Sequence, residues 1–157
     1  MTLRRSLLAL TACSLTAGTA AAQGSFEILG AGLTPSGVSA DGEVVVGDTG
    51  GQFFEWTAAG GLNVIGGTAA GAGGAGDASV SWDGSTVTAT RANDVTGLLE
   101  MQRYDRATGT WTSVGNLGAS SGNSTGSGWS TSGNGRSSVG LGWVTPGSAH
   151  AIQWDPV

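Results

Sequence analysis

The sequence predicts an all-β protein built from repeated four-stranded antiparallel units, and three observations predict it. A short strand, an Asp-Gly or Asn-Gly turn and a second strand recur at residues 38–47, 80–88 and 131–140. Repetition at this scale marks stacked supersecondary units. After position 22, apolar residues alternate or form short runs bounded by Gly, Ser, Thr, Asn and Asp, the pattern of short strands. The 30 glycines among 157 residues would weaken helices, whereas a turn-dense sheet protein uses them where φ is positive.

Residues 1–22 read as an export signal, with Arg4 and Arg5 at the start, an apolar stretch over 7–15 and Ala20-Ala21-Ala22 before Gln23. The stretch is too short and too rich in Ala and Thr to span a bilayer, and no later segment is apolar enough to be a transmembrane segment. Leu10-Thr11-Ala12-Cys13 resembles a lipobox and supplies a minority reading, a lipid anchor at Cys13. Only about seven residues would then separate Arg5 from Cys13, so the expectation is a mature chain beginning at Gln23, secreted or held in the periplasm or at the cell surface.

The mature region, 23–157, divides into units at about 26–66, 67–118 and 119–157. In the first, residues 37–40 lead into the Asp41-Gly42 turn, a dipeptide favoured in tight hairpins. Strands at 43–48, 52–57 and 62–66 follow, separated by Gly50-Gly51 and Gly60-Gly61. The second unit repeats this order with 79–82, the Asp83-Gly84 turn, 85–90, 98–105 and 111–115. The third has 128–132, the Asn134-Gly135 turn, 136–144 and 149–154, and no fourth strand. Residues 26–30 have the form of a fourth strand and would suit closure of a ring. The register is consistent: Trp56, Tyr104 and Trp154 recur at intervals of 48 and 50. The Gly/Ala/Ser-rich connectors 67–76 and 119–128 read as flexible loop rather than core. Four-stranded units of 40–50 residues are the blades of a β-propeller, so about three units make an incomplete ring. Further blades or self-association would be needed to complete it.

Composition prunes the chemistry. Cleavage after Ala22 removes the only cysteine, so the mature chain forms no disulfide. It carries four arginines, no lysine and eleven acidic residues, a net charge of about −7, which argues against a nucleic-acid partner. Cysteine nucleophiles, lysine Schiff bases and His/Cys zinc sites are excluded, because His150 is the only candidate ligand of those types. His150 itself lies in a strand pattern that faces solvent.

The phrases resemble the HAF-repeat family of bacterial extracellular proteins. The resemblance rests on Gly37-Val38-Ser39-Ala40-Asp41-Gly42 with the Val-rich strand to Gly47, on Phe54-Glu55-Trp56-Thr57, on Ile65-Gly66 and on Ala149-His150-Ala151-Ile152-Gln153-Trp154. The second unit departs most, with Tyr104 in place of Trp. The resemblance implies a secreted, propeller-like repeat protein and carries no catalytic residues with it. Residues 104–111 also resemble WD-type and kelch-type blades.

Asp41, Asp83 and Asn134, each followed by glycine (Gly42, Gly84 and Gly135), read as structural turn residues rather than metal ligands or catalytic acids. Of the six tryptophans, Trp56, Trp111 and Trp154 fall at repeated strand positions and read as packing. Trp82, Trp129 and Trp143 are the candidates for an exposed aromatic surface. No cofactor or metal is implied. The expected function is a secreted, non-enzymatic interaction surface for proteins or glycans. The alternative is a glycan-active enzyme using carboxylates at the propeller centre.

Overall fold

The structure, a computed structural model, describes residues 25–67 and 76–157. Residues 1–22, read above as an export signal and containing Cys13, and most of the first connector lie outside the described residues. Within them there is no helix, and so none long and apolar enough to cross a membrane.

Three antiparallel sheets follow one another along the chain. The first has β1 (Thr34–Val38), β2 (Val44–Asp48), β3 (Phe53–Thr57) and β4 (Gly61–Gly66), side by side in that order. The second has β5 (Ser79–Val80), β6 (Thr86–Ala92), β7 (Leu99–Asp105) and β8 (Thr110–Ser113). The third has three strands, β9 (Gly126–Thr131), β10 (Ser138–Thr145) and β11 (Ser148–Trp154). Residues 26–30 form no strand, and Phe26 and Ile28 are fully exposed. Apolar alternation alone does not make a strand where no neighbouring edge is within reach.

Equivalent rows of side chains run across each sheet, because directly paired residues point to the same face. One row is Val38, Val45, Trp56 and Leu62 in sheet one; it corresponds to Val80, Val87, Tyr104 and Trp111 in sheet two. In sheet three it becomes Thr131, Ser138 and Trp154. In sheets two and three this row meets the preceding sheet. Val80, Val87 and Tyr104 pack with Val44, Val46, Phe53 and Ile65 of sheet one, and Trp111 closes the cluster. Full burial of each such side chain contributes about 1.5–3 kcal/mol. The Trp111 indole donates to the Ile65 carbonyl (2.7 Å) and its ring tilts against Tyr104.

The junction between sheets two and three is built differently. The hydroxyls of Thr88 and Ser138 bond each other at 2.7 Å in a fully buried site. The Gly128 amide donates to the Thr90 hydroxyl (3.1 Å), and a Cβ on Gly128 would stand 2.6 Å from the Ala89 carbonyl oxygen. Arg103 reaches across to the Gly135 carbonyl and lies over the Trp154 ring, 4.7 Å from its centre.

The second connector is not the loose loop its composition suggests. Thr125 and Ser127 are buried, and the Thr125 amide and hydroxyl both donate to the Leu99 carbonyl, at 2.7 and 3.1 Å. Small residues there allow close backbone approach, and their hydroxyls satisfy the buried polar groups.

Candidate binding face

The turn between the first two strands is the same device in all three sheets. In sheet one the Ser39 hydroxyl donates to Asp41 Oδ1 (2.6 Å) and accepts from the Val44 amide (3.0 Å), while the Glu43 amide donates to the same Oδ1 (3.0 Å). Sheet two repeats the set with Ser81, Asp83, Ser85 and Thr86 at 2.5, 3.0 and 3.1 Å. Sheet three uses Ser132, Asn134, Arg136 and Ser137 at 2.8, 3.1 and 2.9 Å. The turn is a four-residue loop rather than a tight two-residue hairpin, closed by a bond from the Ser39 amide to the Val44 carbonyl (2.9 Å). Only the glycine has positive φ, +79° at Gly42, +70° at Gly84 and +65° at Gly135. The acid therefore serves as an acceptor and not as a left-handed residue.

These donors favour the ionised acid. The Ser39 hydroxyl, followed by the Glu43 amide, holds the Asp41 carboxyl below its ordinary value, and Ser81 followed by Ser85 does the same to Asp83.

The three turns abut. The Ala40 amide donates to the Trp82 carbonyl (2.9 Å), and the Trp82 amide donates to the Gly133 carbonyl (2.8 Å). Ala40, Trp82 and Gly133 are the same position of the repeat, so one chain of backbone bonds crosses from turn to turn.

At the centre of this face stands Trp82, 72% exposed. Gly133 lies under its ring, since a Cβ there would be 2.8 Å from Trp82 Cδ2. Asp83, Ser132, Gly133 and Asn134 complete a shallow depression around the ring. Asp83 Oδ2 and Asn134 Nδ2 make no hydrogen bond among the described residues, which leaves one acceptor and one donor free beside an aromatic face.

The other two candidate tryptophans are not part of this face. Trp129 is exposed on the rim of a hollow of about 590 Å³ over sheet three, with Val139, Leu141 and Ile152. Trp143 is half-buried on β10 and lines neither depression. His150 is exposed on β11. Among the described residues, no three His, Asp or Glu side chains converge as a metal-ligand group. The contact between Trp82 and Gly133 had one sequence signal, their shared place in the repeat.

No family model matches the sequence, and no curated protein matches it either. Among solved structures the chain is similar to TolB from Acinetobacter baumannii, with a TM-score of 0.52 and 19% identity over 78% of this chain and 29% of that one. It is also similar to a protein assigned as TolB from Agrobacterium tumefaciens, with a TM-score of 0.51 and 14% identity over 78% of this chain and 45% of that one. The chain thus spans less than half the length of either. At such identities the likeness concerns the fold, which is β-propeller-like.

Proposed function

We propose that this chain is an exported, non-enzymatic propeller-like repeat protein of the HAF type, an arc of three blades that presents its turn face for binding. The Trp82 platform carries the reading. Its ring is backed on one side by Gly133 and open on the other, so little conformational freedom is lost when a flat or apolar surface covers it. The free Asp83 oxygen and Asn134 amide flank it, a combination that suits the apolar face and hydroxyls of a sugar ring. The acids of the face support binding over catalysis, because Oδ1 of Asp41 and Oδ1 of Asp83 are each held by hydroxyl and amide donors of their own turn. The HAF resemblance is supported by its signature residues performing one structural task three times over. Export is supported by the sequence of residues 1–22, and the expected mature terminus is Gln23.

Probing an array of extracellular polysaccharide fragments with the parent and with Trp82→Ala tests the reading. The parent should bind a defined subset, and the variant should lose at least tenfold in affinity while its melting temperature holds. Undiminished binding by the variant, or release of cleaved sugar by the parent, would overturn it. Mass determination of the exported product checks the terminus; a diacylated Cys13 would make the protein membrane-tethered.

A further inference from the structure

We propose that two copies of this chain join head to tail, sheet three of each against sheet one of the other, with residues 26–30 of each copy adding a fourth strand to β11 of its partner. The proposal rests on the propeller-like arc described above and names what completes it.

Both joining faces are positions that the molecule already buries elsewhere. Counting from the turn serine, Val46, Thr88 and Val139 are equivalent. The first two are 0% exposed because the following sheet covers them, whereas Val139 is 41% exposed. On the opposite face Val38 is equivalent to Val80; Val80 is 6% exposed beneath sheet one, and Val38 is 56% exposed. Each sheet-to-sheet junction thus joins the Val46-type face of one unit to the Val80-type face of the next. Sheet three presents the first face uncovered, and sheet one presents the second. A second copy supplies both complements at once.

The backbone bonds between turns have the same polarity. They run from Ala40 to Trp82 to Gly133, and the Gly133 amide and the Ala40 carbonyl have no such partner among the described residues. In the proposed junction the Gly133 amide of one copy donates to the Ala40 carbonyl of the other. Connectivity places residues 26–30 equally well. The outer strands β4 and β8 each lead into the inner strand of the following sheet, β5 and β9. The segment leading into β1 therefore belongs on the outer edge of the sheet that precedes sheet one. Sheet three of the second copy takes that place, and its outer edge is β11, a seven-residue strand paired on one side among the described residues. Long unpaired edges of this kind invite strand addition.

Symmetry and charge agree with two copies. Such a heterologous contact makes a closed ring when the rotation per unit closes. The facing side chains Val38, Leu62, Val64, Val139 and Leu141 carry no charge, so the acidic net charge of the chain is not concentrated at the junction.

Sedimentation equilibrium of the mature chain, residues 23–157, should give a species of twice its monomer mass. Ile28→Asp changes a side chain exposed in the single chain, so it should leave the folded monomer intact and raise the dimer dissociation constant roughly a hundredfold. Leu141→Arg should do the same from the other face. An equimolar mixture of the two variants should recover a dimer, weaker than the parent, because one junction then pairs the two unaltered faces. A monomeric parent with a cooperative melt would overturn the proposal and leave the binding function standing, as further units or an unrelated protein would then cover these faces. A dimer that survives both substitutions, or variants that fail to complement, would also overturn it. A parent without a cooperative melt would strike the fold itself.

Discussion

The two sheet-to-sheet junctions join the same module by different chemistry. Between sheets one and two, Val44, Val46, Phe53, Val80, Val87 and Tyr104 interdigitate as an apolar core. Between sheets two and three, Thr88 and Ser138 stand at the positions of Val46 and Val87, Thr90 and Gly128 lie beside them, and backbones approach closely across hydroxyl bonds. The repeat therefore conserves geometry rather than hydrophobicity. A β-branched Thr occupies much the same space as Val, and its hydroxyl is tolerated where a partner hydroxyl or amide meets it. The first junction draws its stability from area removed from water. The second depends on fit and on pairing of each buried polar atom.

The sharpest way to break this contrast is to truncate one side chain in each junction. Phe53→Ala should have the largest effect, a loss of about 3–5 kcal/mol, because the ring is fully buried and a cavity remains. Denaturant unfolding checks it. Gly128→Ala should come next, at about 1–3 kcal/mol, although it adds a methyl group rather than removing one. Its Cβ would meet the Ala89 carbonyl oxygen, a backbone atom that cannot turn aside. If Gly128→Ala proved neutral, the second junction would be looser than its geometry indicates.

The hydroxyl pair refines the contrast further. Thr88→Val strands the Ser138 hydroxyl in a buried site and should cost about 1–3 kcal/mol. Adding Ser138→Ala removes the stranded group and should recover part of that loss. A double variant whose cost equals the sum of the two single costs would show that the pair contributes nothing as a pair.

The units and strands were legible because their signals are local: Asp-Gly and Asn-Gly turns, and valine-rich strands of period two. What escaped is decided by distant neighbours. Thr88 and Thr90 sit in a strand whose hydroxyls suggest solvent, yet both are buried, since burial depends on sheet three some fifty residues onward. Residues 119–128 have the composition of a loop, and the same small side chains permit the close packing seen at Thr125 and Ser127. The Asp-Gly pair announces a turn without specifying its length, which the serine two residues earlier sets by bonding both the acid and the returning strand. Of the candidate aromatic surface, only Trp82 could be placed with its polar neighbours by alignment of the repeats. Trp129 and Trp143 lie on a sheet face whose covering is not written in their local sequence.

The smallest expected effects sharpen a finer comparison, between the acid turns of sheets one and two and the amide turn of sheet three. Asp41 and Asp83 have carboxyls lowered from 3.8 by serine hydroxyls and backbone amides, and Asn134 accepts equivalent bonds without titrating. A lowered folded value means that the ionised turn stabilises the fold. That contribution is present above the ordinary value and is lost as pH falls below 3.8 through the lowered one. The double variant Asp41→Asn, Asp83→Asn should therefore melt slightly below the parent at neutral pH, because the amide oxygen accepts the same donors without the charge, and the gap should close as the parent's acids protonate. Below the ordinary value it should lose less stability than the parent. Asp41→Val should melt lower than the parent at neutral pH, through the lost acceptor alone, since φ at this position is not positive. Melts with calcium and with a chelator should superimpose for the parent. A rise with calcium that the Asn variant abolishes would make these turns ion ligands and undo their reading as structural.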